Sequence, residues 1–349
     1  MSGNFYLEDI LSQKVEMDKV LAYCRTEEVK EKCKLLTEKK VNKVIFSGMG
    51  SSHFCSYGAN ILLHQNGIDS HVVSTGELLY YEMDSLGEGT ILCLVSQSGE
   101  SAEIVHLLEL LKKDVFLIGV TNQPESTLAK NADMTFLLNV SDEISVTTRT
   151  YLSSLILVQL IAASLCGKDT GAILSEYDKT LFSMETYLER YVEEMQKIKE
   201  FCSGMHVISL IGRGNALSSV RAGALFMREV VKFPAMDFDS AEFRHGPMEM
   251  VQKDFYAIVF APTGRTQKLN TNLARDIVEK GGRVVLITDK GGALEQTQNL
   301  LQIVLPRVEE YASQLLQILP VQLLANAMAE EKQIPVGVFR WGSKITERE

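Results

Sequence analysis

The sequence lacks the residue patterns on which several classes of protein depend. Its six cysteines form no C-x-x-C pair, and its six histidines include no H-E-x-x-H and no His/Cys cluster, so we expect no disulfide framework and no zinc site. No basic segment followed by an apolar one opens the chain, and the longest apolar stretch, YLSSLILVQLIAASLCG, is interrupted by Ser and Gln. Neither a signal peptide nor a membrane span is expected. We therefore expect a cytoplasmic protein with reduced cysteines.

The chain also has no excess of positive charge. Its 35 Lys and Arg residues face 45 Asp and Glu residues, and the formal net charge of −10 argues against nucleic acid or an anionic membrane as a partner. A local basic pocket for a small anion is compatible with this balance. With 349 residues, of which 46% are apolar and 23% charged, the sequence predicts a globular protein of two domains.

One pattern of secondary structure occurs twice along the chain. Residues 43–47 (KVIFS) form a β-branched run that ends in the glycine-rich GMGSS and is followed by a predicted helix. The same order returns as VISLI, GRGN and a helical stretch, so that Gly48 and Gly50 correspond to Gly212 and Gly214 at an offset of 164 residues. SQSGES and APTGRT keep nearly this offset. The repeat predicts an α/β fold of two similar domains, each a parallel sheet flanked by helices.

Helical segments are predicted around and between the two copies, because these stretches are periodic, charged and almost free of Gly and Pro. The chain is thus divided into an N-terminal helical arm (1–40), a first domain (41–170), connecting helices (171–202), a second domain (203–335) and a C-terminal tail (336–349).

Two loops of the first copy suit a small anion. The turn that contains Gly50, Ser51 and Ser52 joins a strand to a helix, but it lacks the third glycine of G-x-G-x-x-G, which disfavours a dinucleotide site. The loop from Ser96 to Ser101 places three hydroxyl groups and a glycine at another strand end, which favours a phosphate monoester. The alternative is an ordinary serine-rich helix cap. The second copy has APTGRT here, so we expect it to keep the fold but not the phosphate site.

Two titratable residues of the second copy are candidates for proton transfer. Glu229 shares a helix face with apolar residues, and partial burial there would raise the pKa of its carboxyl group towards the range useful for a general base. The alternative is an ordinary ion pair with Lys232. His245 follows an arginine and precedes a Gly-Pro turn, where an imidazole can exchange protons near neutral pH. A structural histidine at a turn is the alternative.

Together, SGMGSS, SQSGES, the repeat and EFRHGP resemble the double sugar-isomerase (SIS) domain family, from about residue 40 to the end of the chain. This family includes the isomerase half of glucosamine-fructose-6-phosphate aminotransferase and the fructosamine-6-phosphate deglycases. The resemblance implies two tandem SIS domains of the flavodoxin-like, three-layer kind. It further implies that the general base is Glu229 and that the ring-opening histidine, His245, is lent by a neighbouring subunit in a homodimer or higher homo-oligomer. The implied phosphate ligands are Ser51, Ser52, Ser96, Gln97, Ser98 and Ser101, and the residues bordering the sugar are Gly50, Val146, Thr147 and Thr148.

Three features bear on how far the resemblance to the aminotransferase extends. The chain starts at Met1 directly ahead of the sugar-isomerase part, so we expect no glutamine-dependent synthesis. Phe226 stands where the aminotransferase carries a lysine, three residues before the glutamate. Lys344 in the tail matches a lysine that can form a Schiff base with the keto sugar, and its alternative is a solvated tail lysine.

The resemblance implies an enzyme that moves a proton between C1 and C2 of an open-chain sugar 6-phosphate, without metal or redox cofactor. A deglycase or deaminase of an amino-sugar or fructosamine 6-phosphate is favoured. The alternatives are an aldose-ketose isomerase of a hexose 6-phosphate and a non-catalytic regulator that binds phosphosugars. A sensor needs neither Glu229 nor His245, and no basic helix-turn-helix segment precedes the first domain.

Overall fold

The computed structural model describes residues 4–112, 114–144 and 146–341, which form two compact units. The N-unit comprises residues 15–143, 147–178 and 339–341. The C-unit comprises residues 4–14, 144, 146 and 179–338. The helical arm at the start of the chain is therefore divided between the two units.

The N-unit is built on a parallel sheet of five strands in the order β2-β1-β3-β4-β5. All six residues of the central strand β3 are buried, as expected for a strand covered on both faces. The strands are β1 (Lys43–Gly48), β2 (Asp69–Ser74), β3 (Thr90–Val95), β4 (Phe116–Thr121) and β5 (Met134–Leu137).

The C-unit contains a second parallel sheet of five strands in the order β10-β9-β8-β6-β7. Counted along the chain, both sheets have the order 2-1-3-4-5, which is the flavodoxin-like arrangement. The expected α/β fold with two copies of one sheet is confirmed. The strands are β6 (Ile208–Gly212), β7 (Ala235–Asp239), β8 (Tyr256–Ala261), β9 (Arg283–Thr288) and β10 (Leu300–Val304).

Helices flank both sheets and form the terminal and connecting segments. The longest apolar stretch of the sequence forms α9, all of whose residues are buried, which explains its composition. No helix within the described ranges is long and apolar enough to cross a membrane. The helices are α1 (Phe5–Leu11), α2 (Gln13–Cys24), α3 (Glu27–Glu38), α4 (Ser51–Phe54), α5 (Tyr57–Gln65), α6 (Thr75–Glu77), α7 (Ala102–Leu110), α8 (Thr127–Asn131), α9 (Arg149–Leu165), α10 (Thr170–Leu188), α11 (Tyr191–Phe201), α12 (Leu217–Val230), α13 (Gln267–Glu279), α14 (Gln314–Gln317) and α15 (Leu319–Glu331).

In each sheet the strand order reverses between the first and the third strand along the chain. In open α/β sheets, ligands bind outside the carboxyl ends of the strands at such a reversal. The reversal in the N-unit lies between β1 and β3, and the reversal in the C-unit lies between β6 and β8. The loops that leave these four strands are therefore the first places to look for a site.

Candidate active site

The loop after β1 is shaped by glycines. A Cβ atom on Gly48 would lie 2.8 Å from the carbonyl oxygen of Val95 and 2.9 Å from the backbone of Ser52, so no other residue fits between these segments. Gly50 has a φ of +54°, which L side chains rarely adopt. These contacts bring the ends of β1 and β3 together and set Ser51, which is buried, at the strand reversal.

The loop after β3 is held by its own serine hydroxyls. The Ser96 Oγ accepts the Gly99 N–H at 3.1 Å and lies 3.4 Å from the Ser101 Oγ. The Ser98 Oγ accepts the Glu100 N–H at 3.2 Å. Ser96 and Ser98 are both buried. The hydroxyls of Ser96 and Ser98 thus hold the backbone of the loop after β3 in place.

An open pocket of about 440 Å³ lies beside this loop within the N-unit. Gln97 and Ser98, two of the expected phosphate ligands, contribute to its wall. Four acidic residues line it as well, namely Glu100, Glu125, Asp142 and Glu143. The volume is sufficient for a small phosphorylated metabolite.

Glu143 organises the start of α9 and was not singled out by the sequence. Its side chain is fully buried, and its carboxylate accepts the N–H of Thr148 at 2.7 Å and the N–H of Arg149 at 2.6 Å. It also accepts the hydroxyl groups of Thr148 and Thr150 at 2.9 and 2.5 Å. The only sequence signal for this arrangement is an acidic residue ahead of a Thr-rich helix start. Glu143 therefore fixes the segment in which sugar contacts were expected.

The four residues expected to border the sugar differ in their burial and in the unit to which they belong. Thr148 is fully buried and gives its hydroxyl hydrogen to Glu143, whereas Thr147 is partly buried. Val146 is buried and belongs to the C-unit. Gly50 is partly buried in the loop after β1.

Glu229 lies in the last turn of α12 in the C-unit. Burial raises the pKa of its carboxyl group to about 7, against the positive charge of Lys232, which lowers it. Phe226, one turn earlier, is fully buried. The carboxylate of Glu229 is therefore available as a base at neutral pH, in surroundings that raise its affinity for a proton.

His245 is presented on a rigid turn. The Asp239 carboxylate accepts the Ala241 N–H at 2.6 Å, Phe243 is fully buried in the core of the C-unit, and Arg244 pairs with Asp276 at 2.6 Å. His245 itself is exposed in the isolated chain. The anchored neighbours leave its imidazole accessible at a fixed place on the surface.

The corresponding loops of the C-unit are occupied by the chain's own carboxylates. The Thr263 N–H donates to both carboxylate oxygens of Asp289 at 3.0 Å. The Gln267 side-chain amide donates to the same group at 2.7 Å. The carboxylate of Glu310 lies so close to Gly264 that a Cβ there would be 2.5 Å from its Cδ. The backbone donor that could hold a phosphate after β8 therefore already has an anionic partner.

The expected site residues fall into three groups in the structure. The serine and glutamine residues of both loops, with Gly50, Thr147 and Thr148, belong to the N-unit, and Glu229 and His245 belong to the C-unit. Lys344 lies outside the described residues. Among the residues that the structure does describe, no group of three or more His, Cys, Asp or Glu side chains could hold a metal ion.

Two parallel sheets of the order 2-1-3-4-5, each with loops at its strand reversal, define this chain as an α/β protein of the flavodoxin-like kind. The family model of the SIS domain matches residues 35–164 and, again, residues 204–330. The chain belongs to the SIS domain family. The resemblance seen in its motifs is thereby confirmed.

Relatives in this family carry names that refer to phosphosugar chemistry. Over 333 residues, 93% of this chain, the sequence is 28% identical to a glutamine–fructose-6-phosphate aminotransferase (isomerizing) of Pyrococcus horikoshii, of which the match covers 54%. The chain thus spans about half the length of that relative. The C-terminal domain of glucosamine-fructose-6-phosphate aminotransferase from Francisella tularensis has a similar structure, with a TM-score of 0.85 and 20% identity over 95% of this chain and 96% of that one.

A second solved structure, glucosamine-6-phosphate deaminase of Thermotoga maritima, is similar with a TM-score of 0.72 and 20% identity. The match covers 99% of this chain and all of that one. At this level of identity the two structural comparisons establish the fold that the chains share.

Proposed function

We propose that this protein is a phosphosugar enzyme that moves a proton between C1 and C2 of an open-chain amino-sugar or fructosamine 6-phosphate and so releases an amine. The observation that carries the proposal is Glu229, a partly buried carboxylate whose pKa of about 7 suits a general base at neutral pH. The family membership and the names of the relatives support a phosphosugar as the substrate.

The N-unit binds the phosphate group in this proposal. Ser51, Ser52, Ser96, Gln97, Ser98 and Ser101 would supply hydroxyl, amide and backbone donors to its oxygens. The rigid backbone of both loops, set by Gly48, Gly50 and Gly99, supports this assignment because a fixed cradle loses little entropy on binding. Gly50, Val146, Thr147 and Thr148 are assigned to the border of the sugar, and Glu143 holds part of that segment in place.

Proton transfer is assigned to the C-unit. With a fructosamine 6-phosphate, Glu229 removes the proton on C1, and the electron pair forms an enolamine. Return of the proton to C2 leaves an imine at C1, which water hydrolyses to an aldose 6-phosphate and the free amine. With a 2-amino sugar the same shift runs from C2 to C1, and hydrolysis releases ammonia. His245 opens the sugar ring by proton exchange at the ring oxygen, and Lys344 is assigned to a transient Schiff base with the keto sugar.

An amine-bearing substrate is favoured over a plain hexose phosphate by the surroundings of Phe226. A fully buried phenyl ring stands where the aminotransferases of the family carry a lysine that assists proton movement between sugar oxygens. An imine nitrogen accepts a proton and carries its own positive charge, so it depends less on such a helper. Aldose-ketose isomerisation is the second candidate, and the word isomerizing in the name of the matched relative favours it.

A proton NMR time course tests the proposal. The purified full chain is mixed with fructoselysine 6-phosphate, glucoselysine 6-phosphate, glucosamine 6-phosphate or fructose 6-phosphate, each with and without glutamine. Glu229→Gln removes the base, and Glu279→Gln changes an exposed glutamate as the matched control. We expect amine or ammonia release that does not need glutamine, that is lost by at least about 1000-fold in Glu229→Gln and that is unchanged in Glu279→Gln. The rate constant kcat/KM should fall about tenfold per pH unit below pH 7, because only the ionised carboxylate accepts a proton.

Other outcomes select among the alternatives. Interconversion of hexose phosphates alone would identify an isomerase. Release of glutamate from glutamine with formation of an amino sugar would identify a synthase. Absence of turnover with every substrate, together with tight binding of phosphosugars, would contradict the enzyme proposal and identify a sensor.

A further inference from the structure

The last turn of α12 is followed by a lysine in a conformation that glycine usually takes. α12 ends at Val230, and Lys232 follows with a φ of +55°, in the left-handed region. The N–H groups of Val231 and Phe233 both donate to the carbonyl of Met227, at 3.3 and 3.2 Å, and so close the end of the helix. A residue with a Cβ atom is disfavoured at such a position, so the fold accepts local strain in order to have a lysine there.

This conformation directs the ammonium group of Lys232 back onto the end of α12. Its Nζ donates to the backbone carbonyl of Glu229 and, at 2.7 Å, to the backbone carbonyl of Val338. The lysine therefore ties the residue that carries the proposed base to the segment near the end of the chain. Its positive charge also acts on the Glu229 carboxylate, against the effect of burial.

Several other charged groups near α12 pair with residues other than Glu229. On α12 itself, Arg228 pairs with Asp237 of β7. After α15, Lys332 lies over the ring of Phe233 at 5.3 Å. Neither β6 nor α14, which also pack against α12, carries a charged residue. The remaining charged side chains on α12 and on the elements packed against it are Arg221, Asp239, Glu330 and Glu331. Asp239 accepts a hydrogen bond from the turn before His245. Glu330 accepts a hydrogen bond from Asn4, and Glu331 pairs with Lys199.

We propose that Lys232 is a positioning residue for Glu229: by donating to the backbone carbonyls of Glu229 and Val338 it fixes the last turn of α12, which carries the carboxylate, and its positive charge there favours the ionised form. The inference rests on the proposed function in assigning the role of base to Glu229. In this chain the positive charge lies three residues after the glutamate, whereas Phe226, three residues before it, is apolar and buried.

The competing role for Lys232 is that of a helix-ending residue alone, since the left-handed backbone after the last turn is itself sufficient to end a helix. The two roles predict opposite effects of the substitution Lys232→Gly. Lys232→Gly relieves the left-handed strain and therefore suits a helix-ending residue alone. It also deletes the charge, which harms a positioning residue. Lys232→Met deletes the charge and keeps most of the side chain, and Lys232→Arg keeps the charge.

The test compares these variants with Lys332→Met, a matched control that removes a nearby lysine lying over Phe233. One readout is the titration of the Glu229 carboxyl carbon by NMR in glutamate-labelled protein, assigned by its loss in Glu229→Gln. The other is the pH dependence of kcat/KM for amine release. We expect Lys232→Met and Lys232→Gly to raise the pKa of Glu229 by about one unit and to lower kcat/KM at pH 7 about fivefold. Lys232→Arg and Lys332→Met should leave both near the wild-type values.

The two readouts separate this inference from the proposed function. An unchanged titration of Glu229 in both Lys232→Met and Lys232→Gly overturns the positioning role, even if Glu229→Gln is inactive. A raised pKa in both variants upholds the effect of Lys232 on the carboxylate. If Glu229→Gln then remains fully active, Glu229 is not the base, although the effect of Lys232 on its carboxylate stands. A melting temperature that rises in Lys232→Gly while its kcat/KM at pH 7 falls would support the positioning role and exclude a helix-ending residue alone.

Discussion

At the scale of the residue, partial burial of the ionised Glu229 carboxylate lowers the free energy of unfolding. Its pKa of about 7 in the folded chain lies above the usual value of 4.5, so the folded state binds the proton more tightly than the unfolded state. Stability therefore falls as the pH rises from about 4.5 to 7, and the whole cost is present above pH 7.

Glu229→Gln should for this reason stabilise the protein at pH 8 but not at pH 4.5. Full conversion of the pKa change gives an upper bound of roughly 3 kcal/mol, and partial solvent screening reduces it. Melting temperatures of the variant and the wild type, measured at both pH values, check this. Equal differences at the two pH values would show that the effect is not due to ionisation.

Candidate residues could be named from the sequence, but their surroundings could not be predicted. Glu229 and His245 were candidates because a carboxylate in an apolar helix face and an imidazole beside a Gly-Pro turn are unusual, and their roles as base and ring-opening acid were implied only by the family resemblance. The left-handed conformation of Lys232 was not predictable, since glycine is the residue expected there. Glu143 was also missed, because its four donors come together only through the path of the backbone before α9.

At the scale of the element, the loop after β3 depends on one glycine. Gly99 has a φ of +64°, and a Cβ atom on it would lie 2.3 Å from the Ser126 Oγ. Gly99→Ala should cost about 1–3 kcal/mol and displace the N–H groups that Ser96 and Ser98 hold, so that phosphosugar binding is lost. Gly87→Ala is the control, because nothing lies within 4 Å of a Cβ there. Calorimetric titration with a phosphosugar measures the difference. Normal binding by Gly99→Ala would remove this loop from the phosphate site.

The segment before α9 depends in the same way on Glu143. Glu143→Ala leaves two backbone N–H groups and two hydroxyls without their acceptor, which should lower the melting temperature through a loss of about 3 kcal/mol and raise KM. Asp142→Ala is the matched control, since the carbonyl group of Asp142 accepts from Arg149 while its side chain is exposed. Thermal unfolding and steady-state kinetics give the two values. If Asp142→Ala and Glu143→Ala behaved alike, the hydrogen bonds of the carboxylate would not matter.

The alternation of strands and helices was predictable because fully buried strands give continuous apolar runs and the repeat supplies each element twice. One predicted helix differs in detail. The stretch after GMGSS forms two helices, α4 and α5, with a break at Cys55 and Ser56. Periodicity alone does not reveal such a break, because the apolar residues continue across it.

At the scale of the whole molecule, the two copies of the fold differ in their capacity for anions. In the C-unit the Thr263 N–H donates to Asp289 and Glu310 lies against Gly264, whereas in the matching loop of the N-unit the Gly99 and Glu100 N–H groups donate to serine hydroxyls. We therefore expect one phosphosugar per chain. Calorimetry of the full chain should give a stoichiometry near one, and the double variant Ser96→Ala/Ser98→Ala should abolish the binding. Residual binding in that variant would locate a second site elsewhere.

The last prediction concerns the assembly that the resemblance implies. If His245 is lent by a neighbouring subunit, a mixed dimer of Glu229→Gln and His245→Asn chains contains one site with both residues intact and one site with neither. Each variant alone should be inactive. Co-expressed chains with two different tags, purified through both tags, should regain about half of the wild-type activity, because one of the two sites is whole. If both residues serve a site from the same chain, every site in the mixed dimer carries one defect and the activity stays at the level of the single variants. The exposed position of His245 on an anchored turn favours the first outcome, since an accessible imidazole on a rigid support is suited to complete a site on another subunit.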